Sequence, residues 1–348
     1  MNYILRKILY SFLVLLGIVI LVFIMFQGFG DPARMIVGQT GDKKTMDNIR
    51  SDLYLDQPKW KQFMLYINDV SPVCIHSKAD IEKKQLKGIF TGMETKFGLK
   101  IPYLRKSYQT KKEVGKVLIE ALPGTLILAI TAMLFATVIG ILLGVTAAIK
   151  KDTWMDTTAV FSSIAGISAP SFFMAIVIAY FFGVILHGYT GLNLTGSWFD
   201  IDEVTGEKYL SLKNLILPAF TLGIRPLAII TQLTRSAMLD VLSQDYIRTA
   251  YAKGLSTNAI IFKHALRNAL NPVITAITGW FAELLAGAFF IEYIFGWKGI
   301  GKITVDALEK LDYPVVMGSV LLSACIFIFI NFCADILYRV VDPRIKIQ

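Results

Sequence analysis

Cysteine and histidine are scarce in this chain, which has three residues of each among 348. The cysteines are Cys74, Cys325 and Cys333, and the histidines are His76, His187 and His264. An odd number of cysteines without a CxxC pair argues against a disulfide framework and against a zinc site. Because the histidines are scattered along the chain, we expect no bound metal ion.

Catalytic motifs are also missing from the sequence. No GxxxxGK[ST] loop precedes Lys253-Gly254, so the chain is not expected to bind ATP in that way. An intramembrane hydrolase would need a HExxH motif, a buried Ser–His pair or two aspartates within the membrane, and none is evident. Channel filters, pore-lining charge rings and the inverted repeats of secondary transporters are not found either. We therefore predict a non-enzymatic chain that binds no cofactor of its own.

Long apolar runs are the dominant feature of the sequence, in which 55% of the residues are hydrophobic. The runs cover residues 8–26, 124–149, 159–186, 217–239, 272–291 and 314–337. About 20 apolar residues span a bilayer as a helix, and lipid leaves no other way to satisfy their backbone polar groups. The sequence thus predicts an all-α polytopic membrane protein with six transmembrane helices, the third of them kinked at Pro170.

The first run invites a second interpretation as a signal peptide, because basic residues precede it. Its length exceeds the apolar core of a signal peptide, about 7–15 residues, and residues 27–32 make a poor cleavage site. We therefore predict a retained helix, so that residues 1–27 comprise a cytoplasmic amino terminus and the first span.

Charge sets the expected orientation. The net charge of +9 is typical of some nucleic-acid-binding proteins, but the basic residues here flank apolar runs, so we expect no nucleic acid. The short loops and termini on one side carry a cluster of them: Arg6, Lys7, Lys150, Lys151, Arg248, Lys253, Lys263, Arg267, Arg339, Arg344 and Lys346. The positive-inside rule places this side and both termini in the cytoplasm. Residues 28–118 form an external segment, and residues 119–348 form a core domain with a cytoplasmic loop at 240–271.

That loop does not have the composition of an irregular connection. Asp245 can cap a helix, Ala250 and Ala252 favour one, and Gly254 is suited to end it before a second helix begins near Ser256. Such an element can dock into a groove of another protein, or it can lie on lipid headgroups as an amphipathic helix. The residue types alone leave both interpretations open.

The same loop resembles the "EAA" loop of ABC importer permeases, in the form found in the dipeptide, oligopeptide and nickel subfamily. It reads Tyr246-Ile247-Arg248-Thr249-Ala250-Tyr251-Ala252-Lys253-Gly254-Leu255 and later His264-Ala265-Leu266-Arg267-Asn268-Ala269. Further segments similar to the family are Gly30-Asp31-Pro32, Leu55-Asp56-Gln57-Pro58, Leu122-Pro123-Gly124-Thr125-Leu126, Ala169-Pro170-Ser171-Phe172, Asp312-Tyr313-Pro314 and Val341-Asp342-Pro343-Arg344. The similarity is poorest over residues 71–112, where the external segment is longer than the family pattern.

The resemblance implies a type I ABC importer permease in a bacterial inner membrane, with an enlarged external segment between helices 1 and 2. It implies three kinds of partner besides lipid: a second related permease, two ABC ATPase subunits that hold ATP and magnesium, and an external substrate-binding protein. The cargo would be dipeptides or oligopeptides, with nickel chelates or peptide antibiotics as alternatives. The residues implied in coupling to the ATPase are Asp245, Arg248, Thr249, Ala250, Ala252, Lys253, Gly254, Leu255 and His264.

Two ionisable residues lie deep within predicted spans. Arg225 and Glu283 are each about 12–14 Å from the outer ends of their apolar runs, where charged groups face protein or water and tend to pair. We hypothesise that both face the translocation cavity, where they pair with each other or bind a charged end of a peptide. The alternative is a structural contact with the partner permease, and nearby aromatic residues such as Trp280 are expected to act mainly as packing anchors.

Overall fold

A computed structural model describes residues 2–28, 46–47, 50, 54–201 and 205–341. The chain divides into two compact units, one formed by residues 1–120 and 303–324 and the other by residues 121–302 and 325–348. Two of the segments that resemble the family, residues 30–32 and 342–344, lie outside the described residues.

Helices make up most of the described chain. They are α1 (Asn2–Gly28), α2 (Lys59–Val70), α3 (Lys78–Lys84), α4 (Val114–Ile149), α5 (Trp154–Ser168), α6 (Ser171–Tyr180), α7 (His187–Thr190), α8 (Lys213–Leu242), α9 (Asp245–Ala252), α10 (Thr257–Ala259), α11 (Leu266–Gly287), α12 (Phe289–Ile294), α13 (Ile300–Glu309) and α14 (Tyr313–Val341). The π-helical turns Phe181–Ile185 and Ile260–Ala265 extend α6 and precede α11.

Membrane-spanning helices can be recognised by length and apolar composition. Within the described ranges, four helices meet that test: Leu5–Met25, Val114–Ile149, Lys213–Leu242 and Tyr313–Ile336. A fifth span results if α5 and the helix that starts at Ser171 count as one, although they meet at a bend of 107°. Of the six predicted spans, four are therefore confirmed, or five if the bent pair counts as one span. The remaining candidate, α11, is interrupted by polar residues that include Glu283.

The kink predicted at Pro170 is a full break in the helix. Ala169 and Pro170 both adopt extended backbone, with ψ of 131° and 133°, and α6 restarts at Ser171. Proline lacks the N–H that would continue the helix, and it disfavours helical backbone in the residue before it. One apolar run thus becomes two helices at a steep angle.

The prediction of an all-α chain is wrong in two places. A three-stranded antiparallel sheet of β1 (Val73–Ser77), β2 (Gly88–Thr91) and β3 (Thr95–Lys100) has the order β1-β3-β2. A two-stranded sheet pairs β4 (Phe199–Ile201) with β5 (Lys208–Leu210). The strands are only three to six residues long, too short for a clear period-two signal. Alternate residues of β1 are nevertheless buried, among them Cys74 and His76.

The first unit has its own core. Apolar residues of α1 and α14 enclose Tyr66 of α2 in one cluster, whose buried members are Val19, Val22, Tyr66, Tyr313, Met317 and Leu321. Asp312 fixes the start of α14, because its carboxylate accepts hydrogen bonds from the Ser107 hydroxyl and from the Tyr108 N–H at 2.9 Å. This contact gives a structural reason for the Asp312-Tyr313-Pro314 motif.

The second unit is held together around α8, which packs against α5 and α11. Its buried core is built largely from small and aliphatic side chains, with Phe295 and Trp297 as the largest members. Trp297 is fully buried, and its indole N–H donates to the carbonyl of Gly124 in α4 at 2.9 Å. A Cβ on Gly124 would lie 2.0 Å from the carbonyl oxygen of Lys298, so only glycine fits this contact.

A buried carboxylate completes the same contact. Glu292 is fully buried, and it accepts hydrogen bonds from the Thr125 hydroxyl at 2.7 Å and from the Lys302 N–H at 3.1 Å. The Thr125 oxygen in turn accepts from the Ile300 N–H at 2.9 Å. Burial raises the pKa of Glu292, which lies outside the spanning helices, to about 7 despite these hydrogen bonds. The Leu122-Pro123-Gly124-Thr125-Leu126 motif is therefore the α4 half of a buried polar contact.

Candidate functional site

The segment between α8 and α11 forms the helix–glycine–helix element that its sequence predicts. Helix α9 begins after Gln244, whose backbone is extended and whose side chain makes no capping hydrogen bond. The expected cap Asp245 is instead the first helical residue. It lies 3.5 Å from Arg248, with both side chains largely exposed, and such a pair adds little stability. Acidic charge in the first turn still complements the helix dipole.

Gly254 ends α9 in a Schellman motif. The Gly254 N–H donates to the Tyr251 carbonyl at 3.0 Å, and the Leu255 N–H donates to the Ala250 carbonyl at 3.3 Å. This pattern requires left-handed backbone at the glycine, where φ is +73°. No atom lies within 4 Å of the position that a Cβ on Gly254 would occupy, so the described part of the chain leaves that space open.

Ser256 then starts the next helical segment. Its hydroxyl oxygen accepts a hydrogen bond from the Ala259 N–H, which makes it the N-cap of α10. The π-helical turn follows without a break and leads into α11. The chain from Thr257 to Gly287 is therefore continuously helical.

One side of α9 is buried in the second unit. Ile247 is 1% exposed and Ala250 is 7% exposed. They belong to a cluster, the elbow cluster, whose buried members are Val145, Ala148, Met238, Ile247, Ala250, Ile260, Ile261, Ala265 and Ala269. Burying a side chain such as Ile247 stabilises the docking by about 1.5–3 kcal/mol. Ala250, predicted among the coupling residues, thus packs inside its own chain.

The elbow cluster joins three long helices. Its members come from the end of α4, from α8 and from α11, whereas the sequence predicted a connection to the last two only. A direct hydrogen bond adds to the link, because the Asn268 side-chain amide in α11 donates to the Tyr246 hydroxyl in α9 at 2.8 Å. Apolar spacing along the chain gives no sign that residues 145 and 148 belong to this contact.

The opposite side of α9 and the following turn are exposed. We call this the elbow surface, and its exposed residues are Asp245, Tyr246, Arg248, Thr249, Tyr251, Ala252, Lys253, Gly254 and Leu255. Tyr251 is 50% exposed and Leu255 is 41% exposed, so large apolar groups are presented beside charged ones. His264 is only half-buried and lies in the π-helical turn. The elbow surface thus presents aromatic and aliphatic groups together with charged ones, and both kinds occur in protein interfaces.

A pocket lies where α5 and α6 meet. Gly166, Ala169 and Ser171 from the two sides of the break line a pocket with Arg225 of α8 and Glu283 of α11. We call it the bend pocket. The Arg225 guanidinium carbon lies 5.6 Å from the centre of the Trp280 ring, a cation–π contact, and Trp280 lines the pocket too. The structure therefore brings together Arg225, Glu283 and the Pro170 break, which the sequence indicated separately.

Arg225 and Glu283 do not pair with each other, which was one of the two alternatives for these residues. Among the residues that the structure describes, no carboxylate oxygen lies within 4.0 Å of a nitrogen of Arg225, and Glu283 has no ion-pair partner. Both side chains are exposed into the pocket region. Of the two alternatives, an ion pair between them is not found, and the hypothesis that both face the translocation cavity stays a prediction.

Sequence reasoning missed an ion pair that links α5 to α8. Arg235 of α8 donates from two nitrogens to the carboxylate of Asp156 in α5, one of them at 2.7 Å. Asp156 is buried and also accepts from the Asp152 N–H at 3.1 Å. A bidentate arginine–carboxylate pair fixes direction as well as distance. The only hint in the sequence was an arginine near the end of one apolar run and an aspartate just before another.

No group of three metal-ligating side chains occurs in the described ranges.

Comparison with known proteins identifies the family. The model for the inner membrane component of binding-protein-dependent transport systems matches residues 140–347, and the model for the amino-terminal part of such components matches residues 1–129. The chain belongs to this permease family. The dipeptide transport system permease protein DppB of Alkalihalophilus pseudofirmus is 34% identical, and the alignment covers 99% of each chain.

Two other relatives are also named as permease proteins of transport systems. DppB of Haemophilus influenzae is 44% identical over 69% of this chain and 76% of its own length. The glutathione transport system permease protein GsiC of Escherichia coli K12 is 32% identical over 99% of both chains. The MetNI methionine ABC transporter in an inward-facing conformation matches with a TM-score of 0.50, at 18% identity, over 65% of this chain and 96% of that chain. The last comparison supports the type I importer fold of the permease and nothing finer.

Proposed function

We propose that this permease forms part of the path by which an ATP-driven importer moves short peptides across a bacterial inner membrane. In this proposal both termini are cytoplasmic, residues 28–118 face outward, and α11 provides the remaining span of a six-helix arrangement. The permease pairs with a second, related permease subunit and receives its cargo from an external binding protein. Two cytoplasmic ABC ATPase subunits bind ATP and magnesium and supply the driving free energy.

The elbow surface is the observation that carries this proposal. It is exposed on one side and anchored on the other through Ile247 and Ala250, so a neighbouring protein that moves it must also move the elbow cluster. Because the cluster contains parts of α4, α8 and α11, the motion reaches three helices at once. Closure of the ATPase pair would thus be converted into a rigid-body movement of the transmembrane helices. The free energy comes from tighter binding of ATP to the closed state.

Peptides are the best-supported cargo. Relatives that align over nearly the whole chain are named for the transport of dipeptides and of glutathione, which are small molecules with free carboxylates and an amine. Nickel chelates and peptide antibiotics remain the alternatives. Uptake of a radiolabelled dipeptide by cells that carry the complete transporter, compared with cells that lack this permease, tests the cargo directly.

Cross-linking tests the coupling role. Ala252 is exposed on the elbow surface and Tyr189 is 92% exposed in the segment after α6, so cysteine at either position keeps the fold. We expect Ala252→Cys to cross-link to an ATPase subunit and to resist a membrane-impermeant maleimide added to intact cells. Tyr189→Cys should show the reverse behaviour. Labelling of Ala252→Cys from outside the cell would overturn the proposed orientation and the coupling role together.

A further inference from the structure

The bend pocket has the chemistry of a ligand site that the proposed coupling role does not use. Arg225 lies 12 residues after the start of α8, which corresponds to about 18 Å along the helix. A charged group so far into a spanning helix faces water or protein rather than lipid. Arg225 has a cation–π contact with Trp280 but no carboxylate within ion-pair distance among the described residues.

The aromatic contact leaves the arginine free for an anion. A guanidinium that lies over an indole ring keeps its N–H groups directed outward in its own plane, where they can donate two parallel hydrogen bonds to a carboxylate. Arginine is the residue best suited to such recognition, because its fork matches the geometry of the carboxylate. Trp280 therefore positions Arg225 without satisfying its charge.

Glu283 supplies the opposite charge in the same pocket. It follows Trp280 by three residues on α11, and residues at that spacing are neighbours on one face of a helix, with Cβ atoms about 5–6 Å apart. An exposed cation and an exposed anion thus line the same pocket without forming an ion pair. In an extended dipeptide the ammonium and carboxylate groups are separated by about 7 Å.

The pocket volume limits the ligand. It encloses about 140 Å³, and a cavity of about 150 Å³ accommodates a molecule of the size of benzene. A volume of this size suits the backbone and termini of a very small peptide. The charges and the size therefore select the same class of molecule.

We infer that the bend pocket is a recognition subsite for the termini of a short zwitterionic peptide during its passage. Arg225 binds the peptide carboxylate, Trp280 positions the arginine, and Glu283 binds the peptide ammonium. Because the α5–α6 break at Pro170 forms one wall through Ala169 and Ser171, the subsite depends on that break. This inference rests on the proposed function, since it presupposes that peptides traverse the permease.

The experiment uses the complete transporter in proteoliposomes. Cys325 and Cys333 are exposed, so both are replaced by alanine, and Ser171→Cys places a thiol in the pocket wall. A dipeptide with free termini is expected to slow modification of this thiol by a small methanethiosulfonate reagent. The same dipeptide with an amidated carboxyl end, or with an acetylated amine, should protect less.

Variants without the charge of Arg225 or Glu283 then test which residue binds each end of the dipeptide. Arg225→Gln is expected to raise the dipeptide concentration for half-protection by about ten- to a hundredfold, as a lost charge-assisted hydrogen-bond pair implies, and to remove the preference for a free carboxylate. Glu283→Gln should remove the preference for a free amine. Arg225→Lys should lie between Arg225→Gln and the parent. Lys213→Gln removes one positive charge from the exposed start of α8 and should change nothing.

The outcomes separate this inference from the proposed function. If the parent transporter imports no dipeptide, the proposed function fails. If it imports dipeptide while Ser171→Cys is not protected, or while Arg225→Gln leaves protection unchanged, the subsite inference fails alone. A loss of the second permease on purification of Arg225→Gln, with unchanged protection in the fraction that remains assembled, overturns it too and assigns Arg225 to the contact between subunits.

Discussion

Replacing Gly254 by glutamate should uncouple ATP hydrolysis from uptake while the chain remains folded and inserted. The glycine ends α9 with φ of +73°, and no described atom lies within 4 Å of a Cβ built there. A glutamate side chain would therefore project from the elbow surface without any clash inside the chain. Its only obstacle would be a partner docked on that surface.

The cost to the fold can be worked out from the backbone. Left-handed backbone at a residue other than glycine costs about 1–2 kcal/mol. A protein has roughly 5–15 kcal/mol of net stability, so the chain tolerates that loss. Gly254→Ala has the same backbone cost without the long charged group, and it should retain most transport. Any larger defect in Gly254→Glu must then come from the side chain at the interface.

Gly206 offers a matched control elsewhere in the chain. Its φ is +71° and it too has no described atom within 4 Å of a Cβ, but it lies between β4 and β5. We expect Gly206→Glu to transport normally in proteoliposomes, while Gly254→Glu hydrolyses ATP with little or no uptake. Equal uptake by the two variants would refute the argument that the elbow surface docks on the ATPase.

Three further predictions concern the contacts that hold the second unit. Thr125→Val should lower the stability of this unit by about 2–4 kcal/mol, because the Glu292 carboxylate and the Ile300 N–H both lose a hydrogen-bond partner. The loss would be measured as a lower thermal midpoint in detergent. Thr125→Ser, which keeps the hydroxyl, should retain most of the stability. The raised pKa of Glu292, about 7 against 4.5, means that the folded chain holds this proton more tightly, so its contribution is complete below pH 4.5 and is lost as pH rises through 7. Lowering the pH from 8 to 6 should then stabilise the chain by about 1.3 kcal/mol, and an equal gain in Glu292→Gln would show that other groups are responsible. Asp156→Asn should cost about 2–3 kcal/mol by leaving Arg235 without its carboxylate, and the double variant with Arg235→Gln should cost less than the sum of the single changes.

Local features of the sequence predicted much of the candidate site. The order Asp245, Ala250, Gly254 and Ser256 predicted a helix, a glycine stop and a second helix, and the structure has all three. These features depend on backbone preferences within a few residues, so they can be read without knowing the fold. The one local error, Asp245 as the cap, displaced the helix start by a single residue.

Contacts between distant residues could not be predicted in this way. Strand β1 pairs with β3 across 26 residues, from Val73 to Leu99, and neither strand is long enough to be recognised alone. Asp156 and Arg235 are 79 residues apart, and nothing in either segment indicates the other. Such pairings depend on how elements pack, and local periodicity carries no information about that.

The sequence by itself determined that this chain is built largely of long apolar helices, that one of them breaks at Pro170, and that a short helical elbow ends at Gly254. Each of these follows from the chemistry of consecutive residues. Apolar side chains are stabilised by leaving water, proline lacks the N–H that a helix needs, and glycine can adopt positive φ. Only the tertiary structure decided that the elbow also contacts Val145 and Ala148 of α4, and that Arg225 meets Trp280 rather than Glu283. The physical reason is that packing selects one neighbour among many of similar chemistry, and that choice depends on the positions of all the helices together.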